Sequence, residues 1–149
     1  MIKNILVALD GSEHSETALS YSLWLAEKFE GTVLGQHVID TVTLEGFFHD
    51  ISGSLGFEPY LDFSTKMRDV LETRGKTILE GFGKRCQDRG IRFESFLDIG
   101  IIPNEICERA KIADLVMIGH RGVNEKFSSG LLGGTAESVT RKCPRPVFV

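Results

Sequence analysis

Ile5-Leu6-Val7-Ala8-Leu9 is an unbroken apolar run closed by Asp10-Gly11-Ser12, as expected of a strand covered on both faces. Beyond it, Ala18, Ser22, Leu25, Ala26 and Phe29 recur at i, i+4, i+7, i+8 and i+11, one face of an amphipathic helix. Ser12 suits the N-cap of that helix, and Glu13 and Glu16 stand in its first turn beside the positive dipole end. Gly31 is the expected terminator. Thr32 to Ile39 predicts a second strand, so the chain opens as a right-handed βαβ unit in a parallel sheet.

The pattern lapses between Asp40 and Asp62, where Gly46, Gly53, Gly56 and Pro59 are mixed with Phe47, Phe48, Phe57 and Tyr60. This predicts a long loop or lid with a short helix of its own. Its aromatics suit a cover over a ligand, a contact with another subunit, or an excursion packed on its own domain. A helical pattern resumes at Ser64 and runs to about Arg89, with Leu71, Ile78, Leu79, Phe82 and Cys86 on one face and Gly90 at its end. Gly75, Gly81 and Gly83 weaken it by about 1 kcal/mol each relative to Ala, and read as close packing or a bend. Ile91 to Leu97 predicts a third strand. Pro103 suits the first position of a helix carrying Ile106, Cys107 and Ala110. Leu115 to Ile118 is the fourth strand. A helix from about Thr135 is stopped by Pro144-Arg145-Pro146, and Val147-Phe148-Val149 is a final short strand. Strands and helices alternate throughout, which predicts an α/β fold: an open, doubly wound, parallel five-stranded sheet with helices on both faces.

The 149 residues make one ordinary domain. With 42% hydrophobic and 26% charged residues the composition is that of a globular protein. A net charge of −4 and a pI near 5.6 argue against nucleic acid or an anionic membrane as the main partner. No apolar run approaches the roughly 20 residues of a membrane span. The N-terminus leads straight into a strand without a leader pattern, so the expectation is an unprocessed, cytoplasmic protein. Cys86, Cys107 and Cys143 are odd in number and widely spaced, which fits reduced thiols. Neither a CxxC pair nor zinc-ligand spacing occurs.

Between the fourth strand and the last helix runs Gly119 to Ala136, GHRGVNEKFSSGLLGGTA, with glycines at 119, 122, 130, 133 and 134. A strand that ends in a glycine-rich turn and restarts as a helix is how proteins build an anion cradle, since bare backbone amides and a helix start supply free donors. The alternative is a plain connecting loop. In doubly wound sheets ligands bind outside the carboxyl ends of the strands where strand order reverses. If the first and fourth strands are neighbours, Asp10 faces the cradle across that crevice. A carboxylate suits ribose hydroxyls or a base amino group, and the amides suit a phosphate chain, so together they describe a nucleotide. Asp10 taken alone reads first as a turn or cap residue before the helix. The turn Asp10-Gly11-Ser12 lacks GxGxxG, no GxxxxGK[ST] occurs, and Asp10 stands nearly alone, against a dinucleotide fold, a P-loop and a phospho-receiver in turn.

These residues resemble the universal stress protein family. The matching stretches are Ile5 to Glu13, His37 to Asp40, Gly100 to Ile106, Ala113 to Gly119 and Pro146 to Val149, in the family's order. The resemblance spans 1–149 as one such domain, except for a variable loop or lid at 40–62. It implies a sheet in the order 3-2-1-4-5, a homodimer formed through the C-terminal strand, and membership of the nucleotide-binding branch, whose motif is G-x2-G-x9-G-[ST]. Gly119-x2-Gly122 is intact here. Anchoring on Glu137, Val139 and Pro146 makes Gly133 the third glycine after a spacer of ten, with Gly134 in the hydroxyl position. The other register uses Gly134-Thr135 with a spacer of eleven. The first is preferred, the extra residue being absorbed in Ser128-Ser129-Gly130.

By the same matching Ala8, Leu9, Asp10 and Val38 line the base and ribose. Gly119, Gly122, Gly133, Gly134, Thr135 and Ala136 hold phosphates, and Arg121 either reaches a phosphate or faces solvent. His120 reads as a loop residue. His14, His37 and His49 carry no partner pattern, and no residue is assigned a catalytic or metal-ligating role. The implied cofactor is ATP, or AMP or ADP, with Mg²⁺ only bridging phosphate oxygens. The expected function is an ATP-binding, nucleotide-dependent regulatory or stress-response module. A slow ATP hydrolase and a nucleotide-free dimerisation or scaffold module are the alternatives. The ending on a strand without a polar tail fits a piece of a longer, two-domain protein.

Overall fold

The computed structural model describes residues 1–42, 44–45, 57–122 and 133–149, with the backbone alone for 57–63. The elements are β1 (Asn4–Ala8), α1 (Glu13–Phe29), β2 (Thr32–Asp40), α2 (Phe57–Asp88), β3 (Arg92–Gly100), α3 (Ile102–Arg109), a 3-10 turn (Ala110–Ile112), β4 (Leu115–Met117), α4 (Gly134–Lys142) and β5 (Val147–Phe148). The five strands form one sheet in the order β3-β2-β1-β4-β5, every neighbouring pair parallel. β1, apolar from Ile5 onward and fully buried at Ile5, Leu6 and Val7, is the central strand, as its unbroken apolar run requires.

The two faces of the sheet carry separate cores. Ile5 and Val7 pack with Leu19, Leu23, Leu79, Phe82 and Cys86 from α1 and α2. Leu6 and Val116 pack with Ile106, Ala110, Ala136 and Val139 from the α3 and α4 side. Burial pushes the Cys86 thiol up to about 11, and Cys86, Cys107 and Cys143 are all unbridged.

α1 starts where the capping signal places it: Ser15 N donates to Ser12 Oγ at 3.2 Å, with Glu13 and Glu16 in the first turn. Its end differs from expectation. Glu30, not Gly31, takes the left-handed conformation at φ 52°. Gly31 is needed for space, because a β-carbon there would stand 3.0 Å from the Lys3 carbonyl oxygen. The buried face is also rotated from the predicted one. It comprises Ser15, Ala18, Leu19, Ser22, Leu23 and Ala26, which leaves Leu25 at its rim and Phe29 exposed.

α2 begins at Phe57, so Phe57 to Asp62, expected in the loop, are helical. Residues 41–42 and 44–45 are helical as well. Phe47 and Phe48, which carried the lid reading, lie outside the described residues, as does Ser128-Ser129-Gly130. Of the glycines of α2, two mark close packing. A β-carbon at Gly75 would meet Leu97 at 2.7 Å and His37 at 2.8 Å, and one at Gly83 would meet Phe93 at 3.0 Å, whereas Gly81 faces open space. β3 runs to Gly100, further than its broken alternation suggested, because it pairs with β2 along its whole length from Thr32↔Arg92 to Asp40↔Gly100. No helix among the described residues is long and apolar enough to cross a membrane.

Candidate functional site

The chain leaves β1 for one face of the sheet and β4 for the other, so the carboxyl ends of these adjacent strands open into a crevice. The tip of β1 is pinned to β2 on both sides: Leu9 N donates to Gln36 O at 2.8 Å, and His37 Nδ1 lies 2.6 Å from Leu9 O. A carbonyl only accepts, so the His37 proton sits on Nδ1. Asp10 follows immediately. Its Oδ1 accepts from Ser12 N at 2.9 Å, a side-chain turn that fixes the carboxylate at the head of α1.

The loop after β4 approaches that turn as closely as backbone allows. A β-carbon at Gly119 would stand 2.7 Å from the His14 carbonyl carbon and 2.9 Å from Ser15 N; at Gly122 it would stand 3.1 Å from Asp10 Oδ2. The rings of His14 and His120 lie 5.9 Å apart beside it. On the far side of the loop, Gly133 N donates to His120 O at 2.9 Å, which closes the two rims onto each other. Gly133 is the N-cap of α4, whose start carries no side-chain cap. Thr135 and Ala136 in its first turn line the crevice, where a helix start turns its positive dipole end toward an anion.

The crevice is lined by Ala8, Leu9, Asp10, Val38, Gly119, Arg121, Gly122, Thr135 and Ala136, all nominated from the sequence. Gly133 and Gly134 form the start of α4 beside it without lining the wall. Its enclosed part holds about 80 Å³, and the empty space counted out to the open mouth is about 530 Å³.

Sequence reasoning missed five lining residues: Ser15, Gln36, Ile102, Ile106 and Ile118. Ile102 and Ile106, one turn apart on α3, complete the apolar wall opposite Ala8 and Val38. Gln36 is the one whose signal was present. It is the polar residue between Leu34 and Val38 on the same face of β2, and a polar side chain in a buried row needs a reason. It is 1% exposed. Its Nε2 donates to Asp98 Oδ2 at 2.8 Å and to Glu105 O at 3.1 Å. Asp98 is in turn held by Arg109, whose Nη2 lies 2.7 and 2.9 Å from the two carboxylate oxygens and whose guanidinium carbon lies 4.0 Å over the Phe96 ring. Gln36 Oε1 is buried and has no hydrogen-bond partner among the described residues.

The sheet order and the whole-length sequence pattern are those of one family. The model of the universal stress protein family matches residues 1–149, and the chain belongs to that family. Among its relatives is universal stress protein Slr1230 of Synechocystis, 26% identical over 157 aligned residues that cover 99% of this chain and 55% of that protein. The chain thus spans about half the length of that relative. The solved structure of the hypothetical protein MJ0577 superposes with a TM-score of 0.82 at 26% identity, covering 100% of this chain and 95% of the other. A universal stress protein family protein from Arabidopsis thaliana, At3g01520, solved with AMP bound, superposes at 0.67 with 19% identity over 98% of this chain and 89% of that one. A universal stress protein in complex with cAMP gives 0.62 at 18% identity, over 99% and 94%.

Proposed function

We propose that this chain binds an adenine nucleotide, ATP or its products ADP and AMP, in the crevice between β1 and β4, and acts as a nucleotide-dependent regulatory module of the stress response. The observation that carries the reading is the pairing of Asp10 with the uncapped start of α4 across a cleft floored by glycine backbone. In this reading Ala8, Leu9 and Val38 border the base, and Asp10 accepts from the ribose hydroxyls. The amides of Gly119 and Gly122 and those from Gly134 to Ala136 hold phosphates, with Arg121 as a charge-assisted donor, while that of Gly133 is committed to His120 O. Mg²⁺ enters only as a bridge between phosphate oxygens. Two relatives of this fold are described with AMP and with cAMP bound, which supports the adenine class. A cytoplasmic location goes with the reading, and so does a homodimer through β5, where Phe148 is 59% exposed at the sheet edge.

The test is acid release of ligand from the purified protein, followed by calorimetric titration with ATP, ADP, AMP and cyclic AMP. Recovered or titrated adenine nucleotide at one site per chain is expected. A protein that carries none and ignores all four retires the reading in favour of a nucleotide-free module. Timed release of phosphate from ATP would shift it to a slow hydrolase.

A further inference from the structure

The two ends of the Gln36 amide are treated differently by the fold. Nε2 has two acceptors, a carboxylate oxygen of Asp98 and the carbonyl of Glu105. Reversing the amide would press Oε1 against both of those oxygens, so the orientation is fixed by its surroundings. Arg109 grips both oxygens of Asp98, and that grip holds the acceptor which holds the amide. What remains is a carbonyl oxygen on the crevice side of the sheet, in a residue lining the pocket, buried and without a donor among the described residues. Buried polar atoms in folded proteins are almost always satisfied, and an exception calls for an explanation.

Among the described residues, the side chains beside it in this part of the pocket donate nothing. Ala8, Val38, Ile102 and Ile106 are apolar, the surround that suits the flat face of a heterocyclic base. Among these side chains, the polar atom offered to a base edge is an acceptor.

We infer that Gln36 reads the base: Oε1 accepts a hydrogen bond from an exocyclic amino group, and so selects a 6-aminopurine over a 6-oxopurine. This deepens the proposed nucleotide site and rests on it. Adenine presents N6–H₂ as a donor where hypoxanthine and guanine present O6, a second acceptor that would face Oε1 unpaired. Oε1 is closed to solvent in this conformation, so the base edge reaches it through a side-chain rotamer change in the wall, a common event at binding sites. Asp98 and Arg109 are positioning residues in this arrangement, since they act on the base through the amide.

The experiment titrates the full chain with AMP, with purine riboside 5′-monophosphate, which lacks the amino group, and with IMP, which carries a carbonyl in its place. AMP is expected to bind about tenfold or more tightly than either, the scale of leaving a buried polar group unpaired. Gln36→Met, similar in volume, is expected to bring the three affinities within a factor of about two while the phosphate contacts keep binding measurable. Equal affinities in the unsubstituted protein overturn the base reading and leave the phosphate cradle standing, whatever the variant does. An unchanged AMP preference in Gln36→Met overturns it as well. A protein that binds none of the three overturns both this inference and the function it rests on.

Discussion

Asp10 Oδ2 lies 3.1 Å from the point where any residue other than glycine at 122 would place its β-carbon. The carboxylate after the first strand and the bare backbone after the fourth are therefore fitted to each other across the crevice. Gly122→Ala is expected to displace the carboxylate by a few tenths of an ångström and to lower AMP affinity at least about tenfold, about 1.4 kcal/mol. Gly122→Val is expected to abolish binding. Both variants should keep their thermal midpoint close to that of the parent, because the contact is to a side-chain oxygen and not to core. Parental affinity in both would remove the cradle assignment.

Gly119 makes the opposite case. Its missing β-carbon would meet backbone, the His14 carbonyl carbon at 2.7 Å and Ser15 N at 2.9 Å, and helical backbone does not swing aside. Gly119→Ala is expected to destabilise the fold by about 1–3 kcal/mol, the usual scale of overpacking. Urea denaturation checks this, and an unchanged midpoint would show that the start of α1 is free to shift.

Asp114 stitches the start of β1 to the turn before β4. The backbone amides of Asn4 and Lys3 each donate to its Oδ2 at 2.9 Å, and these two bonds hold its carboxyl below the ordinary 3.8. A folded value below the unfolded one means stability that is complete above the unfolded value and lost as pH falls through the folded one. Asp114→Asn is expected to be less stable than the parent at neutral pH. It should also lose less on acidification from about pH 5 to pH 3. Parallel pH profiles for the two proteins would contradict this.

Cys86 is fully buried against the α1–α2 side of the sheet, and burial raises its thiol to about 11. At pH 8 it is a protonated, inaccessible thiol. A thiol reagent is expected to spare it in the native protein and to modify it with the kinetics of unfolding; rapid native labelling at Cys86 is the result that contradicts this packing.

Phe148 stands 59% exposed on the edge strand β5. If the proposed β5 dimer holds, the parent is dimeric in light scattering and Phe148→Glu is folded and monomeric; a monomeric parent, or a variant that stays dimeric, contradicts it.

The alternation of apolar runs with helical periodicity carried the fold, because each strand of a covered parallel sheet is written as a local apolar block. What it did not carry was set by neighbours. β3 outran its pattern because pairing with β2 supplies its hydrogen bonds to Gly100 whatever its side chains do. Leu19 and Leu23 displaced Leu25 and Phe29 from the buried face of α1 because the sheet, not the helix, decides which side is covered. At the site, backbone-bearing positions such as Gly119 and Gly122 announce themselves through composition. Gln36 announces only a polar residue in a buried row; what holds it, Asp98 and Glu105, lies 62 and 69 residues further along, and only the folded sheet brings them together.

The hydrogen bond from Gly133 to His120 joins the two ends of an excursion whose length then ceases to matter to its anchors. Like a hasp, it sets the gap between two anchors that twelve residues separate along the chain. On the proposed nucleotide reading, an extra residue in that stretch leaves the start of α4, and with it the proposed phosphate contacts, where they stand.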